Sequence, residues 1–97
     1  MSKITKSAHG EPCQIRLAGI CNHNPETTVL AHYRLAGYCG TGIKPPDFMG
    51  TYACSSCHDA VDGRMKTDLS EDELRLAHAE GVMRTLVLLQ RKGLLKG

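Results

Sequence analysis

The chain has no tryptophan, one phenylalanine and three tyrosines. Few large rings are therefore available to fill a core. With 97 residues, folding removes only about 65% of the unfolded surface from water, so the core is small from the outset. No apolar run approaches the roughly 18 residues a membrane-spanning helix needs. The first dozen residues are polar and lack the apolar stretch of a secretory signal. The expected setting is the reducing cytoplasm, where cysteines serve as metal ligands more often than as disulfides. Strong charge is missing too. A net charge of +2 neither demands nor opposes a nucleic-acid partner.

What the chain does have is five cysteines and five histidines. In a small domain short of aromatics, that points to a metal as a staple. Seven residues separate Cys13 and Cys21; Cys54 and Cys57 form a C-x-x-C. Such a knuckle presents two sulfurs on one turn, and a second pair can close a tetrahedral zinc site. With four thiolates no position is left for water, so the site is structural. The other readings are buried thiols without metal, or disulfides. Cys39 is left over, as a free thiol or as a substitute for Cys13 or Cys21. Cys54-Ser55-Ser56-Cys57-His58 also fits the C-x-x-C-H of haem attachment, but that chemistry needs an exported chain.

The coarse layout is a single domain over 1–97: a flexible polar arm at 1–8, a zinc-bearing core at 9–66 and a C-terminal helix at 70–92. Thr27–Tyr33 is β-branched and apolar and reads as a strand ending near His32. Residues 34–50, broken by glycines and prolines, read as a long loop, and Asp47 is placed to cap a short helix running toward Cys54. A further short helix runs to Asp62 and stops at Gly63, with His58 near its start. Ser70 and Glu73 form a capping-box pattern, which predicts a helix from Glu71 to about Lys92 with Gly93 at its end. Gly81 inside it signals either weakness or close packing. Leu94 and Leu95 are expected to add a short strand.

A strand histidine facing a helix histidine can share one phosphodiester. His32 then serves as general base and His58 as ligand to a divalent cation, Mg²⁺ or Mn²⁺. Taken alone, His32 could instead be a packing residue and His58 a neighbour of the zinc. His9 and His23 read as solvated, and His78 as surface or packing. Arg34, Lys44 and Arg64, near the motif, are candidate phosphate contacts.

These residues carry a resemblance. Cys13-Gln14-Ile15-Arg16, Gly19-Ile20-Cys21-Asn22, Asn24 through His32, Cys39-Gly40-Thr41-Gly42, Lys44-Pro45-Pro46-Asp47 and Ala53 through Asp59 resemble the HNH, or His-Me finger, endonucleases with a ββα-metal core. They are more similar still to the YbcO-like nucleases of lambdoid prophages. The resemblance implies an α+β fold: a small zinc-stapled ββα-metal core with a long C-terminal helix. It implies His32 as base, His58 as cation ligand, and Asp47 near the middle residue of the HNH motif. Where related junction-resolving enzymes carry an acidic ligand just before the base, this chain has Ala31; Asp47, Asp59 or Asp62 are the candidate replacements. The function expected is metal-dependent hydrolysis of DNA phosphodiesters in phage DNA processing or recombination. No small-molecule cofactor is expected beyond the ions. The alternative is a non-catalytic zinc module that binds nucleic acid or protein. Leu and Val at 82–89 could offer a surface to a second copy, as a homodimer.

Overall fold

The computed structural model describes residues 2–40 and 42–95. Three helices and two strands follow in the order α1 (Lys3–Ser7), β1 (Val29–His32), β2 (Gly50–Ala53), α2 (Ser55–Val61) and α3 (Glu71–Arg91), with 3-10 turns at Pro25–Thr27 and Asp47–Met49. The fold is thus mixed α+β, with a two-stranded sheet and a long C-terminal helix.

The strands pair antiparallel, Val29 opposite Ala53 and His32 opposite Gly50. β2 is a departure from the expected helix after Asp47. All four of its residues are buried, so it shows no alternation of apolar and polar residues that would mark a strand in sequence. Asp47 instead opens a 3-10 turn that leads straight into β2. Gly50 is required there. A Cβ at that position would lie 2.7 Å from Leu30 Cγ and 3.2 Å from the Asp47 carbonyl oxygen.

α3 lies against β2 and is the principal support of the sheet. Its start is the predicted capping box: Ser70 Oγ accepts from Glu73 N, and Glu73 Oε1 accepts from Ser70 N, both at 3.1 Å. Gly81 marks close packing. A Cβ there would sit 2.7 Å from Thr51 Oγ1, so only glycine lets the helix approach β2 this closely. One turn further on, Thr85 Oγ1 accepts from Tyr52 N at 3.1 Å. A side chain of α3 thus satisfies an outward-facing donor of the sheet. The other side of Tyr52 is closed by Gln14, whose N–H donates to the Tyr52 carbonyl at 2.8 Å.

Two clusters make the core. One gathers Cys13, Ile15, Leu17, Ala31, Ala53, Cys54, Cys57 and Ala60. The other gathers Ala8, Leu30, Tyr52 and Leu89, with Ile4, Leu94 and Leu95 packed on it. Leu94 and Leu95 are not a strand. Gly93, at φ 74°, turns the chain so that Leu94 N donates to Leu89 O at 2.9 Å, and both leucines fold back onto the core. Residues 3–7, where an arm was expected, form α1. Ser2 caps it, Ile4 packs on the second cluster, and Ser7 Oγ lies 2.7 Å from Tyr52 Oη. Four polar residues out of five hide this role in sequence, because one apolar side chain and one hydroxyl carry the docking. Among the described residues, no helix is long and apolar enough to cross a membrane.

Candidate functional site

α2 is the hinge of the chemistry-bearing residues, and its sequence explains why. Cys54 is its N-cap, with Sγ accepting from Cys57 N at 3.3 Å. The knuckle is therefore the opening turn of a helix, and His58 lies in the body of α2 rather than at its start. At the far end Asp62 caps the helix.

At the Cys54 end four sulfurs converge. Those of Cys13, Cys21, Cys54 and Cys57 all lie within 4.8 Å of one another. Cys13 comes from the segment before β1 and Cys21 from the turn at residues 18–21, where Cys21 N donates to Leu17 O at 2.9 Å. The Cys21–Cys54 sulfur separation is 3.8 Å, matching the roughly 3.8 Å edge of a tetrahedron with 2.3 Å metal–sulfur bonds. The donor set and spacing fit a metal such as zinc. Even without metal the protons are unequally shared. The hydrogen bond from Cys57 pushes the Cys13 thiol down to about 4 against the opposing effect of burial. Cys57 is pushed up by the same bond and by burial, and Cys21 is raised chiefly by burial. One thiolate is thus favoured from the start, and metal binding displaces the remaining protons. Cys39 stands apart from this cluster, its Sγ 3.7 Å from the Leu35 carbonyl.

Apart from the sulfurs, the chain has a polar cleft of about 310 Å³. His32, Arg34, Asp62, Arg64, Arg75 and His78 line it, together with Tyr33 and Val61. His32 ends β1 and its Nε2 is 2.8 Å from Asp47 Oδ1. The Asp47 carboxyl is held below the usual carboxylate range, by the Ser2 hydroxyl first and then by His32. An ionised carboxylate accepts Nε2–H, which leaves Nδ1 of a neutral His32 as the basic nitrogen. His58 Nε2 pairs with Asp62 Oδ2 at 3.0 Å, one turn along α2.

The three candidate carboxylates therefore divide. Asp47 serves His32, and Asp62 serves His58. Asp59 is held by Arg64, whose Nη2 is 3.0 Å from Asp59 Oδ1 and 3.4 Å from Asp62 Oδ2. Among the described residues, the four cysteines are the only group of three or more donors spaced for a metal. His58 and Asp62 offer two. Arg34 lines the cleft, whereas Lys44 is exposed in the connection between the strands and is not part of the cleft lining.

His78, Tyr33 and Arg75 line the cleft although none was expected there; His78 was expected at the surface or in packing, and it is packed. His78, from α3, is 7% exposed, and its Nε2 lies 3.1 Å from the carbonyl oxygen of Ala31, one residue before His32. Burial pushes its pKa down, so the ring is neutral and donates to that carbonyl. Its edge meets the Tyr33 ring at a centroid distance of 5.1 Å, and the Arg75 guanidinium stacks on the same ring at 4.7 Å. Histidine and arginine three residues apart on one helix were the available signal. Nothing in sequence said which face of α3 meets β1.

A small α+β domain with a four-cysteine cluster and a histidine- and arginine-lined cleft is the class this architecture defines. Residues 2–94 match a family model described as "Putative nuclease YbcO". Two relatives carry that same name, one from Escherichia coli K12 and one from Enterobacteria phage 82. Each is 47% identical over 96 residues, spanning 99% of both chains. A solved structure titled as a putative bacteriophage protein from Escherichia coli K-12 superposes with a TM-score of 0.78 at 41% identity, over 93% of this chain and 99% of that one. The chain belongs to the YbcO family.

Proposed function

We propose that the chain is a metal-dependent DNA endonuclease of the HNH type, working as one unit in phage DNA processing. The observation that carries this is His32: a histidine held by a carboxylate at a cleft that also contains three arginines and Asp62, the partner of His58. The order of β1, connection, β2 and α2, with a histidine ending β1 and another inside α2, supports the ββα-metal reading.

The chemistry follows from the atoms. Nδ1 of His32 takes a proton from water, and the water oxygen forms a bond to phosphorus as the bond to the 3′-oxygen breaks. Asp47 fixes the ring and stabilises the imidazolium that forms. Arg34 and Arg75 face the cleft and contact phosphate oxygens. Arg64, neutralised in part by Asp59 and Asp62, orients Asp62 as much as it binds substrate. His58 and Asp62 would hold Mg²⁺ or Mn²⁺, which when bound offsets charge on the phosphate oxygens and the leaving oxygen. Two protein donors leave room for phosphate oxygens and water to complete the ion's shell. Affinity for the cation is therefore weak until DNA is present.

The four thiolates hold zinc as a structural staple, which suits a reducing cytoplasm. A homodimer would use the apolar side chains that α3 exposes, Leu76, Met83 and Val87.

The test is incubation of the zinc-loaded protein with single-stranded, duplex and branched DNA in Mg²⁺ or Mn²⁺, beside a His32→Ala control. Cleavage that needs the ion and His32 supports the assignment. A second reading, a zinc module that binds nucleic acid without cutting it, is favoured by Ala31 standing where an acidic ligand would strengthen the cation site. Absence of metal-dependent cleavage on all three substrates selects it.

A further inference from the structure

Eight large apolar side chains stand exposed among the described residues, and four of them fall in one short stretch: Leu35, Tyr38, Ile43 and Phe48. Tyr38 is 57% exposed and Phe48 48%. That stretch is the connection between β1 and β2, and it leaves β1 directly after His32 and the cleft residues Tyr33 and Arg34. Its charge has one sign. From Tyr33 to Pro46 the chain carries Arg34 and Lys44 and no acid. Asp47, the next residue, is engaged by His32.

Exposed rings in a connection that also carries cations, and that continues directly from cleft residues, are what single-stranded nucleic acid needs. The cations attract the backbone and the rings stack on bases that have lost their neighbours. A paired duplex shows no base face to such a ring without unstacking, which costs a few kcal/mol per step. We infer that the connection between β1 and β2 is a base-stacking arm, in which Tyr38 and Phe48 engage unpaired bases, so that the substrate is DNA with a single-stranded or gapped segment beside the cut. This rests on the nuclease reading for the cut, but the arm itself is a binding surface and is tested as one.

The chain's lack of tryptophan makes the test direct. Tyr38→Trp places a sole indole on the arm. The zinc-loaded full chain is titrated in Ca²⁺, without Mg²⁺ or Mn²⁺, with oligo-dT, a gapped duplex and a blunt duplex. Oligo-dT and the gapped duplex should quench the indole, and the blunt duplex should not. Tyr38→Ala and Phe48→Ala should each weaken binding to the gapped duplex by about tenfold and leave blunt-duplex affinity unchanged. Circular dichroism and zinc content identify a variant that has lost its fold, and Tyr38, the more exposed of the two, then decides alone. No quenching by any DNA, or equal losses on gapped and blunt duplex, overturns the arm. Stacking without cleavage would retain the arm and discard the nuclease.

Discussion

The sulfur corner and the histidine cleft are built from opposite ends of the same seven-residue helix, and they differ in completeness. Cys54 and Cys57 open α2 and meet Cys13 and Cys21, so protein donors alone fill a tetrahedron. His58 and Asp62, further along, supply two donors, and His32 is committed to Asp47. A site that must hold an ion permanently is closed. The cleft is open: carboxylates hold His32 and His58, and the Ala31 carbonyl holds His78. The contrast teaches that four sulfurs fix the fold while the paired histidines fix directions.

The sharpest way to break this comparison is to open the closed site. Cys54→Ser removes a ligand and replaces the sulfur that caps α2. Loss of the cooperative unfolding transition and of bound zinc is expected, since binding energy at such sites is folding energy; elemental analysis and circular dichroism report both. A folded, zinc-free variant would show that the cluster is an ordinary core.

Removing the histidines should act on the cleft alone. His32→Ala is expected to lower the cleavage rate about 10²–10⁴-fold with zinc content and thermal unfolding preserved. His58→Ala should shift the Mn²⁺ dependence upward, so that excess Mn²⁺ partly restores the rate. Equal behaviour of the two variants in a metal titration would erase their assigned division of labour.

The helix behind both sites offers a third comparison. Gly81→Ala pushes a methyl toward Thr51 Oγ1 and Ile15 Cγ1 and should cost about 1–3 kcal/mol by overpacking, measured by denaturant unfolding. Ser70→Ala removes the cap of α3, a residue that belongs to neither site, and should cost about 1 kcal/mol without altering DNA cleavage.

Acid should separate the regions most gently. Burial depresses His78 from its ordinary 6.5, so the unfolded chain binds more protons than the folded one just below that value. Stability contributed by neutral His78 is complete above pH 6.5 and is lost as pH falls below it. A His78→Gln variant should flatten this slope in urea titrations between neutral and mildly acidic pH.

Much of this was legible beforehand. The capping box of α3 appears in sequence as Ser70 and Glu73, and the four converging cysteines by their pairing. β2 was not legible, because burial on both faces removes alternation and because seventeen residues separate it from its partner strand. Nor was the role of Asp47, which sits after two prolines at the end of a variable-looking loop. Only the pairing of His32 with Gly50 brings that carboxylate to the imidazole. His78 and Arg75 looked like ordinary helix residues until the closeness of Gly81 to Thr51 fixed which face of α3 meets the strands.

The base of the connection between β1 and β2 is clamped from within. Tyr33 N donates to Met49 O at 2.8 Å, and Leu30 and the Asp47 carbonyl crowd the space that Gly50 leaves empty. Asp47, which orients His32, belongs to this clamp, and the stretch from 36 to 45 is outside it in sequence. Lengthening a flexible loop is cheap, about 0.6 kcal/mol for each doubling. Natural or laboratory variation can thus rewrite that stretch, in length and in sequence, while inheriting the same histidine geometry underneath. Grafts between chains of this architecture should therefore replace residues within 36–45 and leave Asp47 in place beside His32.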